Sequence, residues 1–309
     1  MSEVSGGFPP PSGQQFELRT GGHRAVVTEV GATLRAYTVD GADVIDGFAI
    51  DERSSAGRGE VLAPWPNRLG DGQYEFEGQK GHAALDEPAR SNAIHGLVRW
   101  LPWSATSHTS DAVTMACVLH PQPAYPWRLA LQVEYRLGED GLTVVSEATN
   151  LTDRAAPFGL GFHPYLTVGT STVDTASLVV PARRRLLMDD RALPTGDTEV
   201  GGTEFDFTAG RPIGALVLDT AYTDLVRDDD GRARAHLRAS DGRAVTVWVD
   251  GTFHHLMVFT GDTLDAVRRR KAVAIEPMTC PPNALQSGTD LIRLEPGASW
   301  SGTWGVGGG

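Results

Sequence analysis

Only two cysteines occur in the 309 residues, Cys117 and Cys280, and their spacing matches no metal-ligand or redox motif. Reduced thiols in a cytoplasmic protein are the expectation, with pairing of the two as the alternative. A surplus of positive charge is missing as well: 27 Lys and Arg stand against 39 Asp and Glu, a formal charge of −12. Nucleic acids and anionic membranes select for concentrated positive charge, so neither is an expected partner. No apolar run approaches the length needed to cross a bilayer. Residues 1–15 are rich in Ser, Gly and Pro, with no basic start followed by an apolar stretch, and read as a flexible N-terminal arm rather than a signal peptide. Absent too are a His-Glu-x-x-His zinc motif, a Walker glycine loop, a dinucleotide fingerprint and a Gly-x-Ser-x-Gly elbow. Helical patterns are scarce. Thr263 to Lys271 is a short candidate, and its Arg268-Arg269-Arg270-Lys271 run reads as a solvated face or turn.

What the chain has in quantity is short strands and tight turns. Asp-Gly pairs at Asp40, Asp46, Asp71, Asp140, Asp230, Asp241 and Asp250 suit the positive-φ positions of hairpins. Between Trp127 and Leu137 the alternation is clear: Leu129, Leu131, Val133, Tyr135 and Leu137 share one face, Arg128, Gln132, Glu134 and Arg136 the other. Period-two patterns recur in Arg24 to Val30, Val113 to His120, Leu142 to Ala148, Arg232 to Arg238 and Ala244 to Val249. With 40% hydrophobic and 21% charged residues the composition is that of an ordinary soluble globular protein. The expected fold is all-β: one large, mostly antiparallel β-sandwich domain over residues 16–306 with few short helices, followed by a flexible Gly307-Gly308-Gly309 end.

Five stretches carry residues with chemical potential. Phe158-Gly159-Leu160-Gly161-Phe162-His163-Pro164-Tyr165-Leu166 sets His163 among glycines, aromatics and a proline, a catalytic proton donor or a buried structural histidine. Leu62 to Leu69 holds Trp65 between two prolines and places Arg68 close by, suited to a polar ring ligand or to an ion pair. In Asn92-Ala93-Ile94-His95-Gly96, His95 stands at a strand end. Asp219 follows the apolar run Ala215 to Leu218 and either binds hydroxyls or caps a turn. Lys271 to Pro277 delivers Glu276 at the end of an apolar strand, where a carboxylate is costly unless paired or functional. His254 and His255 are adjacent on a predicted strand, which directs them to opposite faces, so they are not expected to chelate one ion.

Pro66-Asn67-Arg68, Asn92-x-x-His95-Gly96, Phe162-His163-Pro164-Tyr165, Asp219 and Glu276-Pro277, in this order, resemble the aldose 1-epimerase (galactose mutarotase-like) family. The resemblance implies a β-supersandwich with an open carbohydrate cleft that interconverts α and β anomers of a free aldose, without metal or organic cofactor. It implies Glu276 as the base, His163 as the acid, His95 as a second histidine near the ring oxygen, and Arg68 and Asp219 as substrate-binding residues. On that basis Glu276 is expected ionised and His163 protonated before reaction, with nearby carboxylates supporting the imidazolium. Ala63-Pro64-Trp65-Pro66 and the segment after Glu276 look closer to a bacterial subgroup that includes relatives resembling sulfoquinovose mutarotases. An epimerase of an anionic sugar, a hexose phosphate or sulfoquinovose, is therefore an alternative; Arg53, Arg58, Arg99 and Arg183-Arg184-Arg185 are its available cations. A noncatalytic carbohydrate binder on the same fold is the other. A small-molecule sugar is the expected partner, and the protein is expected as a monomer or homodimer.

Overall fold

Most of the period-two segments become strands of the larger of two facing sheets, while Arg24 to Val30 instead falls largely in the strand His23–Thr28 of a separate four-stranded sheet. In the computed structural model, which describes residues 8–308, nine antiparallel strands form the larger sheet, with Ala112–Leu119, Leu129–Gly138, Gly141–Asn150, Ser299–Gly308 and Ala244–Val249 adjacent in that order. Leu129, Leu131, Val133, Tyr135 and Leu137 are buried, while Gln132 and Arg136 are exposed on the opposite face. Asp140-Gly141 and Asp241-Gly242 make turns between neighbouring strands. Not every Asp-Gly pair turns a hairpin. Asp71-Gly72 adopts the left-handed backbone but joins two different ribbons, and the Asp46 side chain accepts bonds from Arg58 and Arg268.

The second sheet has eight strands, among them Asp219–Leu225, His255–Phe259, Val273–Met278, Gly161–Phe162 and Tyr165–Leu166. One face of it meets the larger sheet. Phe162, Tyr222, Leu256, Val258, Val273 and Ile275 join Leu131, Val247, Trp304 and Val306 in one continuous core. Phe162 lies 5.1 Å from Trp304, ring centre to ring centre, across the interface. Alternation then turns Asp219, Ala221, Met257, Phe259, Ala274, Glu276 and Tyr165 to the outer face, since residues paired across neighbouring strands share a side.

Three expectations are corrected. Thr263 to Lys271 forms turns, not a helix: Asp265 accepts the backbone N–H groups of Val267 and Arg268, and Arg270 sits in the left-handed region. The cationic run lies in these turns as read, with Arg269 and Lys271 exposed, while Arg268 pairs with Asp46 and Arg270 with Asp174 and Asp262. Gly307 and Gly308 are paired with Thr246 and Val245, so the strand continues beyond residue 306. Of the expected arm, residues 1–7 lie outside the described residues. From Pro10 on it is anchored, with Gly13 N bonded to Pro10 O and Val30 N to Ser12 O. Cys117 and Cys280 are both free. Helices are confined to Ala284–Ser287 and two single 3₁₀ turns among the described residues, and no described helix is long and apolar enough to cross a membrane.

Trp304 is buried between the sheets, and its indole N–H has no hydrogen-bond partner. Trp304→Ala is expected to destabilise by about 3–5 kcal/mol, whereas Trp304→Phe, which keeps a ring and removes the unpaired donor, costs far less. Urea denaturation midpoints of the two variants test this.

Candidate functional site

Strand register brings the first two candidates together. Gly161 pairs with Met278 and Tyr165 with Ala274, which leaves His163 opposite Glu276. The His163 Nε2 atom lies 3.3 Å from Glu276 Oε1, and both side chains are almost fully buried. Local glycines allow the approach. At Gly57 (φ +75°) an added Cβ would stand 2.5 Å from His163 Cδ2, and at Gly161 it would press on Pro66 and on the carbonyl of Pro277. The His163 ring stacks on Tyr165 with centroids 4.9 Å apart.

A small ribbon supplies the next two. Arg68–Gly70 pairs with Asn92–Ile94, so Arg68 and His95 emerge side by side. His95 itself takes φ +65°, followed by Gly96 at φ +69°, where a Cβ would meet the Ala63 carbonyl at 2.1 Å. A left-handed backbone at a non-glycine residue is strained, and that strain is common where a side chain must be aimed. His95 stands edge-on to His163, ring centroids 5.4 Å apart. Arg68 donates from Nε to Glu87 Oε2 at 2.9 Å and from Nη2 to Asp219 Oδ2 at 3.4 Å. All five candidates line one open cleft of about 920 Å³ on the outer face of the eight-stranded sheet.

Sequence reasoning missed the charges around this set. Glu87 receives Arg68, Arg90 and Asn92, which makes Asn92 a structural donor and Glu87 the counter-charge of a buried arginine. Glu60, buried beside the cleft, pairs with Arg99, which also bonds Asp86. Trp100 is 60% exposed at the cleft rim, with Arg99 and Arg53 over its ring. A buried Arg68 demands a carboxylate, but nothing in the sequence marks which one. Arg58, counted among the available cations, is absent from the cleft lining and is engaged by Asp46. Arg183 and Arg184 face Asp224 and Asp197 away from the cleft.

Several polar atoms of the candidate set are buried without any protein partner: Arg68 Nη1, His95 Nδ1, His163 Nδ1 and Glu276 Oε2. Buried polar groups are normally satisfied, so a cluster of unsatisfied ones on residues that line a cleft points to a polar ligand. Electrostatics weighs against the expected charge states. Burial, with the Asp219 carboxylate adding to it, pushes Glu276 well above the usual carboxylate range, although Arg68 opposes this. Burial first, then the Arg58 charge, pushes His163 down to about 3, and His95 is held low by burial and by His163. Burial thus disfavours charge on both members of the pair, raising the proton affinity of the carboxyl and lowering that of the imidazole.

For Glu276 the unfolded chain ionises above about 4.5 while the folded site keeps its proton, so parental stability falls as pH rises through that range. Glu276→Gln is thus expected to be more stable than the parent at pH 7, by on the order of 1 kcal/mol, with the gap narrowing toward pH 4. Denaturant midpoints at the two pH values check it.

Comparison with known proteins agrees with this architecture. The chain is 34% identical over 287 residues to the uncharacterized protein YihR of Escherichia coli (strain K12), covering 93% of this chain and 90% of that protein. It superposes on the GalM/aldose epimerase homologue from C. elegans with a TM-score of 0.86 at 20% identity, covering 96% of this chain and 98% of that one. With a galactose mutarotase-like protein from Clostridium acetobutylicum the TM-score is 0.83 at 18% identity, covering 95% and 94%. The family model described as aldose 1-epimerase matches residues 14–306. The chain belongs to the aldose 1-epimerase family.

Proposed function

We propose that the cleft interconverts the α and β anomers of a free hexose or hexose derivative, using Glu276 and His163 as the proton-transfer pair. The observation that carries this reading is the 3.3 Å contact between a buried carboxyl and a buried imidazole, ringed by polar atoms with no protein partner. Anomer exchange takes a proton from O1 and gives one to the ring oxygen O5 as the C1–O5 bond breaks. The pair carries one proton in all. With that proton on His163, Glu276 accepts the O1 proton while His163 protonates O5, and the open-chain aldehyde forms.

Ring opening then leaves Glu276 protonated and His163 neutral, which is the distribution that burial favours. The site thus stabilises the proton arrangement of the open-chain stage relative to the ion pair that precedes it. Rotation about C1–C2 and reclosure with reversed roles deliver the other anomer. His95, kept uncharged, acts as a neutral donor toward O5, and Arg68 Nη1 together with Asp219 holds sugar hydroxyls. A second reading, an anionic sugar, draws on Arg53. It lines the cleft and forms no salt bridge among the described residues.

Polarimetry on freshly dissolved single anomers tests both readings. Glu276→Gln and His163→Ala are each expected to lower kcat by at least about 10²-fold while remaining folded, and Arg68→Met to raise KM. Near-parental rates in folded Glu276→Gln and His163→Ala would refute the role assignment. A panel of glucose, galactose, a hexose 6-phosphate and a sulfonated hexose separates the substrates: preference for the anionic sugars that disappears in Arg53→Ala supports the second reading.

A further inference from the structure

Close to the His163–Glu276 pair, but not in the cleft lining, lies a buried cation for which the reaction as described has no use. Arg58 is 2% exposed and does not line the cleft. Its Cζ sits 4.3 Å from the centre of the Tyr165 ring, which itself stacks on His163. The guanidinium is fixed in place: Nε donates to the Asp46 carbonyl at 2.9 Å and Nη2 to the Asp46 carboxylate at 3.0 Å. Asp46 is in turn held by Arg268, and its backbone N–H donates to the Tyr165 carbonyl at 2.8 Å. The Tyr165 hydroxyl donates to the Ala56 carbonyl at 2.9 Å.

The same loop grips His163 through its backbone. Gly59 N–H donates to His163 O, His163 N–H donates to Glu60 O, and Gly57 lies against the imidazole. We propose that Arg58 is a positioning residue: stacked on Tyr165 and clamped by Asp46, it seats the His163 ring against Glu276 and biases their shared proton toward the carboxyl, without touching substrate. The inference rests on the proton-transfer reading of that pair.

The charged and titratable groups around His163 favour Arg58 for this role. Burial disfavours the charged forms of Glu276 and His95, and it pushes Tyr165 far up. Glu60, itself raised by burial, faces Arg99, and Arg99 is shared with Asp86. Arg58 is a permanent charge, stacked on the ring that stacks on His163, and after burial it is the leading influence holding the imidazole uncharged. Its place outside the cleft means that bound sugar does not screen or displace it. A cation there opposes a second proton on His163.

The test reads His163 directly, by NMR of the ¹⁵N-histidine-labelled full chain with the signal assigned through His163→Asn. Arg58→Gln removes the charge, so protonation of His163 is expected to move upward by about one pH unit or more, and the acid limb of kcat/KM to move with it. Arg58→Lys keeps a cation, and its titration is expected to stay near that of the parent. Identical His163 titration in parent and Arg58→Gln overturns the proposal, as does an Arg58→Gln activity loss of the same size at every pH. If Arg58→Gln does not fold, Arg58→Lys still decides: a charged His163 at pH 5 in that variant overturns it, and a neutral one supports it. Because the NMR titration needs no sugar, a parent without mutarotation but with the Arg58 effect would reject the proposed function and leave the electrostatic inference standing.

Discussion

A carboxyl and an imidazole buried in contact, with almost no water to solvate either, is the constraint on which this site depends. In such surroundings neither group readily holds a charge alone, so the pair behaves as one unit with one proton. The fold creates this situation by strand register. His163 occupies the short link between two strands that both pair with the Val273–Met278 strand, and it faces Glu276 by position alone. One face of that sheet is packed against Trp304 and the rest of the core, which pins the backbone under the pair.

Around this unit the charges are arranged in closed groups. Arg68 is paired with Glu87 and Asp219, Arg99 with Glu60 and Asp86, and Arg58 with Asp46. Buried ion pairs of this kind add little net stability, but they orient long side chains that would otherwise be mobile. Arg68 is the clearest case: two of its nitrogens are occupied by protein carboxylates and Nη1 has no protein partner. The left-handed backbone at Asn67, His95 and Gly57 serves the same end, since it lets loops approach the sheet closely enough to present a ring or a guanidinium.

Much of the fold was legible because alternation is a local property. Leu129 to Leu137 could bury one face only as a strand, and its turn at Asp140-Gly141 needs no distant partner. The failures were equally physical. Thr263 to Lys271 has helix-compatible residues, but its arginines are drawn to Asp46, Asp174 and Asp262 from other parts of the chain, and so short a helix has little stability of its own. Gly307 and Gly308 looked loose and are held because a neighbouring strand supplies their backbone partners.

The sequence by itself determined the β-rich architecture, the identity of the five candidate side chains and the family they resemble, since all of these rest on residue type, spacing and order. Only the tertiary structure decided that the five line one cleft, that Glu87 and Asp219 share Arg68, and that Arg58 stands behind Tyr165. It also showed that burial disfavours the charges expected on Glu276 and His163. Proton affinity depends on desolvation and on charges distant in sequence, and neither exists until the chain has closed around the pair.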